Sequence, residues 1–172
     1  MSSEIVVITK VDVAGGTPLG ENLLALNNAH AQSLSWLEPE RLVHLVEEAF
    51  FARRVGEADG LLIAFDQDAD YDSPNFLWFQ GRFARFVYVD RVAVAAEARG
   101  RGIAKRLYLG LFSEALHAGH DKIVCEINLN PPNPESDAFH DALGFTEVGF
   151  GLIHGGQKTV RYMVRQLSSP AK

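Results

Sequence analysis

Between Phe86 and Leu107 the chain reads Phe-Val-Tyr-Val-Asp-Arg-Val-Ala-Val-Ala-Ala-Glu-Ala-Arg-Gly-Arg-Gly-Ile-Ala-Lys-Arg-Leu. A β-rich run ends near Val94, a short turn follows, and two glycines precede a helical stretch. Glycines let a backbone approach a ligand closely, and the start of a helix presents amides with no partner. Together with the helix dipole, those amides suit an anion such as a pyrophosphate. Helix starts ordinarily favour acids, yet Arg99, Arg101, Lys105 and Arg106 flank this one. In a chain of net charge −6, four cations at a positive helix end disfavour the empty state unless an anion binds there. The plain alternative is a solvated basic turn.

The rest of the chain alternates around this segment. Glu4–Val11 is rich in Ile and Val and predicts a strand, ended by Gly15-Gly16 and Pro18. Leu19–Gln32 predicts a helix with Leu23, Leu26 and His30 on one stripe. Glu38-Pro39-Glu40 opens another to about Phe51, with Leu42, Leu45, Val46 and Ala49 facing inward. Phe51–Glu57 and Gly60–Phe65 predict a strand pair turning at Asp59-Gly60. Asp66–Asn75 predicts a long polar loop, and Phe76–Phe79 a core or pocket wall. Phe83–Val94 predicts a long strand, Ile103–Ala118 a helix, Lys122–Asn128 a strand and Ser136–Leu143 a short helix. Thr146–Phe150 and Thr159–Arg165 close the chain as strands. Strands alternating with helices in the middle and pairing as hairpins at the ends imply a mixed sheet with helices upon it, α/β or α+β.

At 172 residues and 47% hydrophobic content, one domain spanning 1–172 with a real core is expected. The single cysteine, Cys125, cannot form an internal bridge and fits a reducing, cytoplasmic setting. The longest apolar runs, Leu61–Phe65 and Val92–Ala96, are five residues, against about 20 for a membrane span. Met1-Ser2-Ser3-Glu4 lacks the basic and apolar parts of a secretion signal. The acidic balance argues against a nucleic-acid partner.

Several chemistries fail on spacing. Asp66, Asp68, Asp70 and Asp72 alternate, but the central glycine and closing glutamate of an EF-hand are missing. His117 and His120 flank Gly119, and no acid or cysteine completes a metal set, so no metal is expected. Cys125 lacks a placed base. No Walker-type loop is present. A dinucleotide fingerprint finds Gly100 and Gly102, but Lys105 stands at its third glycine and Ala95–Arg99 intervenes between strand and glycine. With Glu126 as a ribose contact, an oxidoreductase stays a weak alternative.

The hexapeptide Arg99-Gly100-Arg101-Gly102-Ile103-Ala104 fits Arg/Gln-x-x-Gly-x-Gly/Ala. After Val92-Ala93-Val94, it resembles the coenzyme A signature of the GNAT family of N-acetyltransferases. Downstream, Asn133-Pro-Glu-Ser136-Asp-Ala-Phe139-His140-Asp-Ala-Leu143-Gly144-Phe145 resembles the family's later motif. The resemblance covers roughly Phe51–Leu167.

It implies a GNAT fold, with a mixed, mostly antiparallel central sheet of six or seven strands flanked by about four helices. It implies acetyl-CoA as co-substrate, held by the backbone of Val92, Ala93 and Val94. The Val94 amide would serve the thioester oxygen and the loop amides from Gly100 to Lys105 the pyrophosphate, with Arg99 also among the cofactor-binding residues. Asn133 would contact the cofactor's amide-bearing arm and Phe139 would line it. The strands before and after the signature helix would splay where the cofactor enters. At the family's usual acid tyrosine stands His140, which would protonate the thiolate with an ordinary pKa near ~6.5, or merely pack beside Phe139. Tyr88, Asp90 and Glu126 are the candidates for the base, and Asp90 could instead pair with Arg91. The implied activity is direct acetyl transfer to a primary amine of a small molecule or amino acid, with a homodimer possible. A non-catalytic acyl-CoA-binding module on the same fold is the rival.

Overall fold

Four helices open with proline in the first turn: α2 (Pro18–Asn28), α3 (Pro39–Glu48), α4 (Pro74–Gln80) and α6 (Pro134–Ala142). Proline costs nothing there, because its missing amide would have had no intrahelical partner. Thr17 and Asn133 add side-chain caps, accepting from the Gly20 and Ser136 amides at 3.0 and 3.2 Å. α5 (Ile103–His117) breaks the rule: neither proline nor acid occupies its first turn. The remaining elements are β1 (Ile5–Val7), the one-turn α1 (Lys10–Val13), β2 (Phe51–Val55), β3 (Gly60–Asp66), β4 (Val87–Val94), β5 (Lys122–Asn130), β6 (Thr146–Ile153) and β7 (Lys158–Gln166). This computed structural model describes residues 4–168.

The seven strands form a mixed sheet in the order β1-β2-β3-β4-β5-β7-β6. β1–β2, β2–β3, β5–β7 and β6–β7 pair antiparallel, and β4–β5 pair parallel. Six α-helices occur among the described residues, against about four expected.

Two compact units can be described separately. The first comprises Met1–Phe65 with Val89–Leu111. Leu23, Leu42, Leu45, Val55, Leu61 and Leu107 are buried in it. The second comprises Asp66–Tyr88 with Phe112–Lys172. Its core is aromatic: Phe76, Phe79, Phe86, Tyr88 and Tyr162 are buried, with neighbouring rings 5.2 to 6.2 Å apart. Within it β4 and β5 share the register pairs Val87 with Ile123 and Tyr88 with Val124.

Four expectations need correction. The N-terminal strand ends at Val7, because Thr9 and Asp12 form a capping box that turns the chain into α1. The first long helix stops at Asn28 rather than Gln32, where Asn28 turns its side chain to the Leu37 backbone. The aromatic patch is a helix, α4, begun by Pro74. The long strand starts at Val87 instead of Phe83.

Candidate active site

In the first unit, the turn before α5 holds Gly100 at φ +80° and Gly102 at φ +69°. Side-chain-bearing residues avoid that conformation. Space is not the reason for glycine, since nothing lies within 4 Å of a Cβ built at either position. Arg99 N–H donates to Ala96 at 3.4 Å, and Arg106 N–H to Gly102 at 3.0 Å. Among the described residues, the six amides between them, Gly100 to Lys105, find no protein acceptor. A helix end left this way needs water or a ligand. Gly100, Arg101 and Gly102 are exposed. Arg101 leans on the Ala98 carbonyl and lies 3.6 Å from the Asp59 carboxylate.

Upstream, Asp90, Val92 and Val94 alternate as half-buried residues with the buried Arg91 and Ala93. Arg91 Nε donates to Asp90 Oδ2 at 2.7 Å. Its Nη1 donates to Asn27 Oδ1 at 2.8 Å and to the Ser35 carbonyl at 3.4 Å. Asn27 also donates to Ser35 O at 3.0 Å. Asp90 therefore meets the alternative it was given, a pairing with Arg91. The network ties the α2–α3 loop to β4.

In the second unit, Tyr88 donates its hydroxyl to Glu126 Oε2 at 2.7 Å. Across β5 and β7, Glu126 stands directly opposite Tyr162. Tyr162 donates to Asn75 Oδ1 at 2.9 Å and stacks on Trp78 at 4.1 Å. Burial raises the Tyr162 pKa, the Glu126 charge raises it further, and Arg82 opposes them. The ring stays a neutral donor. Gly149 and Gly151 on β6 make room for this wall: a Cβ at the first would lie 2.6 Å from Trp78, and at the second 2.3 Å from the Tyr162 hydroxyl.

Asn133 spends its carboxamide oxygen on the α6 cap, and Phe139 is half-buried on that helix. His140 is 5% exposed. Its Nδ1 lies 2.7 Å from the Ser136 carbonyl, and Phe139 and Phe145 meet its ring edge-on. Burial holds its pKa below the ordinary 6.5, outweighing the Ser136 carbonyl and nearby aspartates. At neutral pH it is an uncharged imidazole whose Nδ1 proton is committed to Ser136. Burial thus favours a titration below the neutral range expected for it. Cys125 is buried, and burial followed by the Glu126 charge pushes its thiol well up, so a covalent thioester intermediate there is disfavoured.

The expected cofactor residues Val92 to Lys105 fall in the first unit; Tyr88, Asn133, Phe139 and His140 fall in the second. The sequence reading missed Asn27, Asn75, Arg82 and Tyr162, and met Trp78 only as part of the Phe76–Phe79 wall. One signal pointed that way: glycines two apart on a strand mark a close approach. No helix is long and apolar enough to cross a membrane among the described residues.

Residues 30–145 match the family model described as the acetyltransferase (GNAT) family. Curated proteins yield no sequence match. Among solved structures, a putative acetyltransferase of Salmonella typhimurium, yncA with its cofactor acetyl-CoA, is 19% identical. It aligns over 100% of this chain and 98% of its own, with a TM-score of 0.68. The ribosomal-protein-S18-alanine N-acetyltransferase of Escherichia coli is 14% identical over 99% and 97%, also at 0.68. Ard1 of Thermoplasma volcanium is 14% identical over 98% and 100%, at 0.70. At these identities the likeness carries the fold. With the family match spanning most of the chain, including the glycine turn and α6, the protein belongs to the acetyltransferase (GNAT) family of enzymes.

Proposed function

We propose that the protein transfers the acetyl group of acetyl-CoA directly to a primary amine of a small molecule or amino acid. The observation that carries this is the row of six amides, Gly100 to Lys105, without protein acceptors. They would hold the cofactor's pyrophosphate, assisted by Arg99, Arg101 and Lys105. Val92, Ala93 and Val94 would pair with the pantetheine arm, the Val94 amide serving the thioester oxygen. Asn133 and Phe139 remain proposed contacts to that arm.

Glu126 is the proposed base. Tyr88 holds one of its oxygens, whereas Asp90 is engaged by a buried guanidinium. The amine nitrogen bonds to the thioester carbonyl carbon as its proton passes to Glu126; the C–S bond then breaks and coenzyme A leaves as the thiolate. A thiol with a pKa near ~8.5 is a fair leaving group, so water can return the proton. His140 then serves to hold the end of α6. The reaction gains from holding both substrates together.

The test is thiol release from acetyl-CoA across a panel of amines. Turnover dependent on Glu126 supports the reading. Tight acetyl-CoA binding with no turnover on any amine favours the non-catalytic module, and binding of NAD instead overturns both. A cytoplasmic setting agrees with the lone reduced cysteine. A homodimer through β6 is proposed on its row of exposed Val148, Phe150 and Leu152, the last two 60% and 72% exposed. A monomer by light scattering at micromolar concentration would refute the dimer.

A further inference from the structure

Arg82 is an unusual cation in an acidic chain. Its guanidinium lies over the Trp78 ring at 3.8 Å, and its Nη1 donates to the Trp78 carbonyl at 3.1 Å. Among the described residues, no carboxylate lies in ion-pair range of it. A guanidinium stacked on an indole loses little further freedom on binding, and its in-plane donors match a carboxylate's two oxygens.

The stack leads to the proposed base. Trp78 lies 4.1 Å from Tyr162 and nearly parallel to it, and Tyr162 faces Glu126 across the strands. The Tyr162 phenol feels Glu126 and Arg82 with opposite sign. A cation held at one end of an aromatic wall and a carboxylate at the other suit an acceptor carrying both charges. A purely cationic polyamine would gain at Glu126 and lose at Arg82. The wall is held from behind by the Tyr162–Asn75 bond and the two β6 glycines. Its rings are therefore set before anything binds, and the exposed Arg82 is held on them by its stack and its bond to the Trp78 carbonyl.

We propose that the acceptor is an amino carboxylate, its amine presented to Glu126 and its carboxylate read by Arg82. This deepens the acetyltransferase reading and rests on it. Arg82 lies in the turn after α4 and Glu126 on β5, with two rings between them. That spacing suits an amine and a carboxylate separated by several bonds, as in an ω-amino acid or a short dipeptide, better than a compact α-amino acid.

The test compares matched acceptors with one backbone: an ω-amino acid, its carboxamide and the parent alkylamine, with a dipeptide and a longer neutral peptide alongside. Expected is a kcat/KM for the ω-amino acid or dipeptide about tenfold or more above the carboxamide, alkylamine and longer peptide. In Arg82→Gln that preference collapses, and Arg82→Lys, which keeps the charge without the planar fork, retains part of it. Equal or better turnover of the carboxamide, alkylamine or neutral peptide by the unaltered protein overturns the proposal without needing any variant. So does an unchanged preference in Arg82→Gln. Failure of every amine, charged or not, instead removes the acetyltransferase reading itself.

Discussion

Arg91 Nε donates to the Asp90 carboxylate at 2.7 Å, and both side chains are 5% exposed. The same guanidinium reaches Asn27 and the Ser35 carbonyl, so the pair acts on the α2–α3 loop. Removing one member of a buried pair strands the other. Asp90→Ala should lower stability by about 3–5 kcal/mol, and Asn27→Leu by about 1–3 kcal/mol, both measured by urea unfolding. The milder Asp90→Asn should raise KM for the amine yet keep the acid limb of the pH–rate profile. Loss of that limb would return the base role to Asp90.

Tyr88→Phe deletes the hydroxyl that orients Glu126. With the base free to turn, kcat should fall on the order of tenfold to a hundredfold, while Glu126→Gln should abolish the acid limb altogether. Steady-state rates from about pH 4 to pH 9, a window that includes the ordinary carboxylate range, would show both. An unchanged limb in Glu126→Gln would remove it as the base.

Gly102→Ala adds a methyl that meets nothing within 4 Å. Its effect must come from φ +69°, a conformation costing an L-residue roughly 1–2 kcal/mol. The turn should relax and swing its amides off aim. Titration calorimetry should show acetyl-CoA binding weakened by about tenfold or more, roughly the loss of one charge-assisted hydrogen bond. Full affinity in the variant would place the pyrophosphate elsewhere.

His140 and His120 are both held below their ordinary pKa of 6.5, burial being the leading cause in each. Near and below that value the unfolded chain takes up protons that the folded one refuses. Their contribution to stability is therefore complete above pH 6.5 and is lost as pH falls through the lower, folded values. His140→Gln should lose less melting temperature than the unaltered protein between about pH 7.5 and pH 5. His120 keeps the dependence from vanishing. Parallel losses would show that His140 is not held neutral.

What could be read in advance was local. Glycine spacing and misplaced cations around Arg99–Ala104 announced the α5 turn without any tertiary information. The short helix near Ser136–Leu143 was equally legible, although its start at Pro134 and its Asn133 cap were not. α4 was not, because two turns of mostly apolar side chains show no helical period, and the aspartates before it read as loop. The Tyr88–Glu126 pair joins residues 38 apart in the chain, a separation no periodicity encodes. At His140 the position could be found, but its proton state depends on a carbonyl one turn back and on rings at Phe139 and Phe145.

The notches at Gly149 and Gly151 are already filled from inside the protein, by an indole and a phenol. Even one methyl at either glycine would have nowhere to go. A lineage adapting this enzyme to bulkier acceptors could not begin at β6. It would first have to shrink Trp78 or Tyr162, and only afterwards would the strand behind them become free to vary.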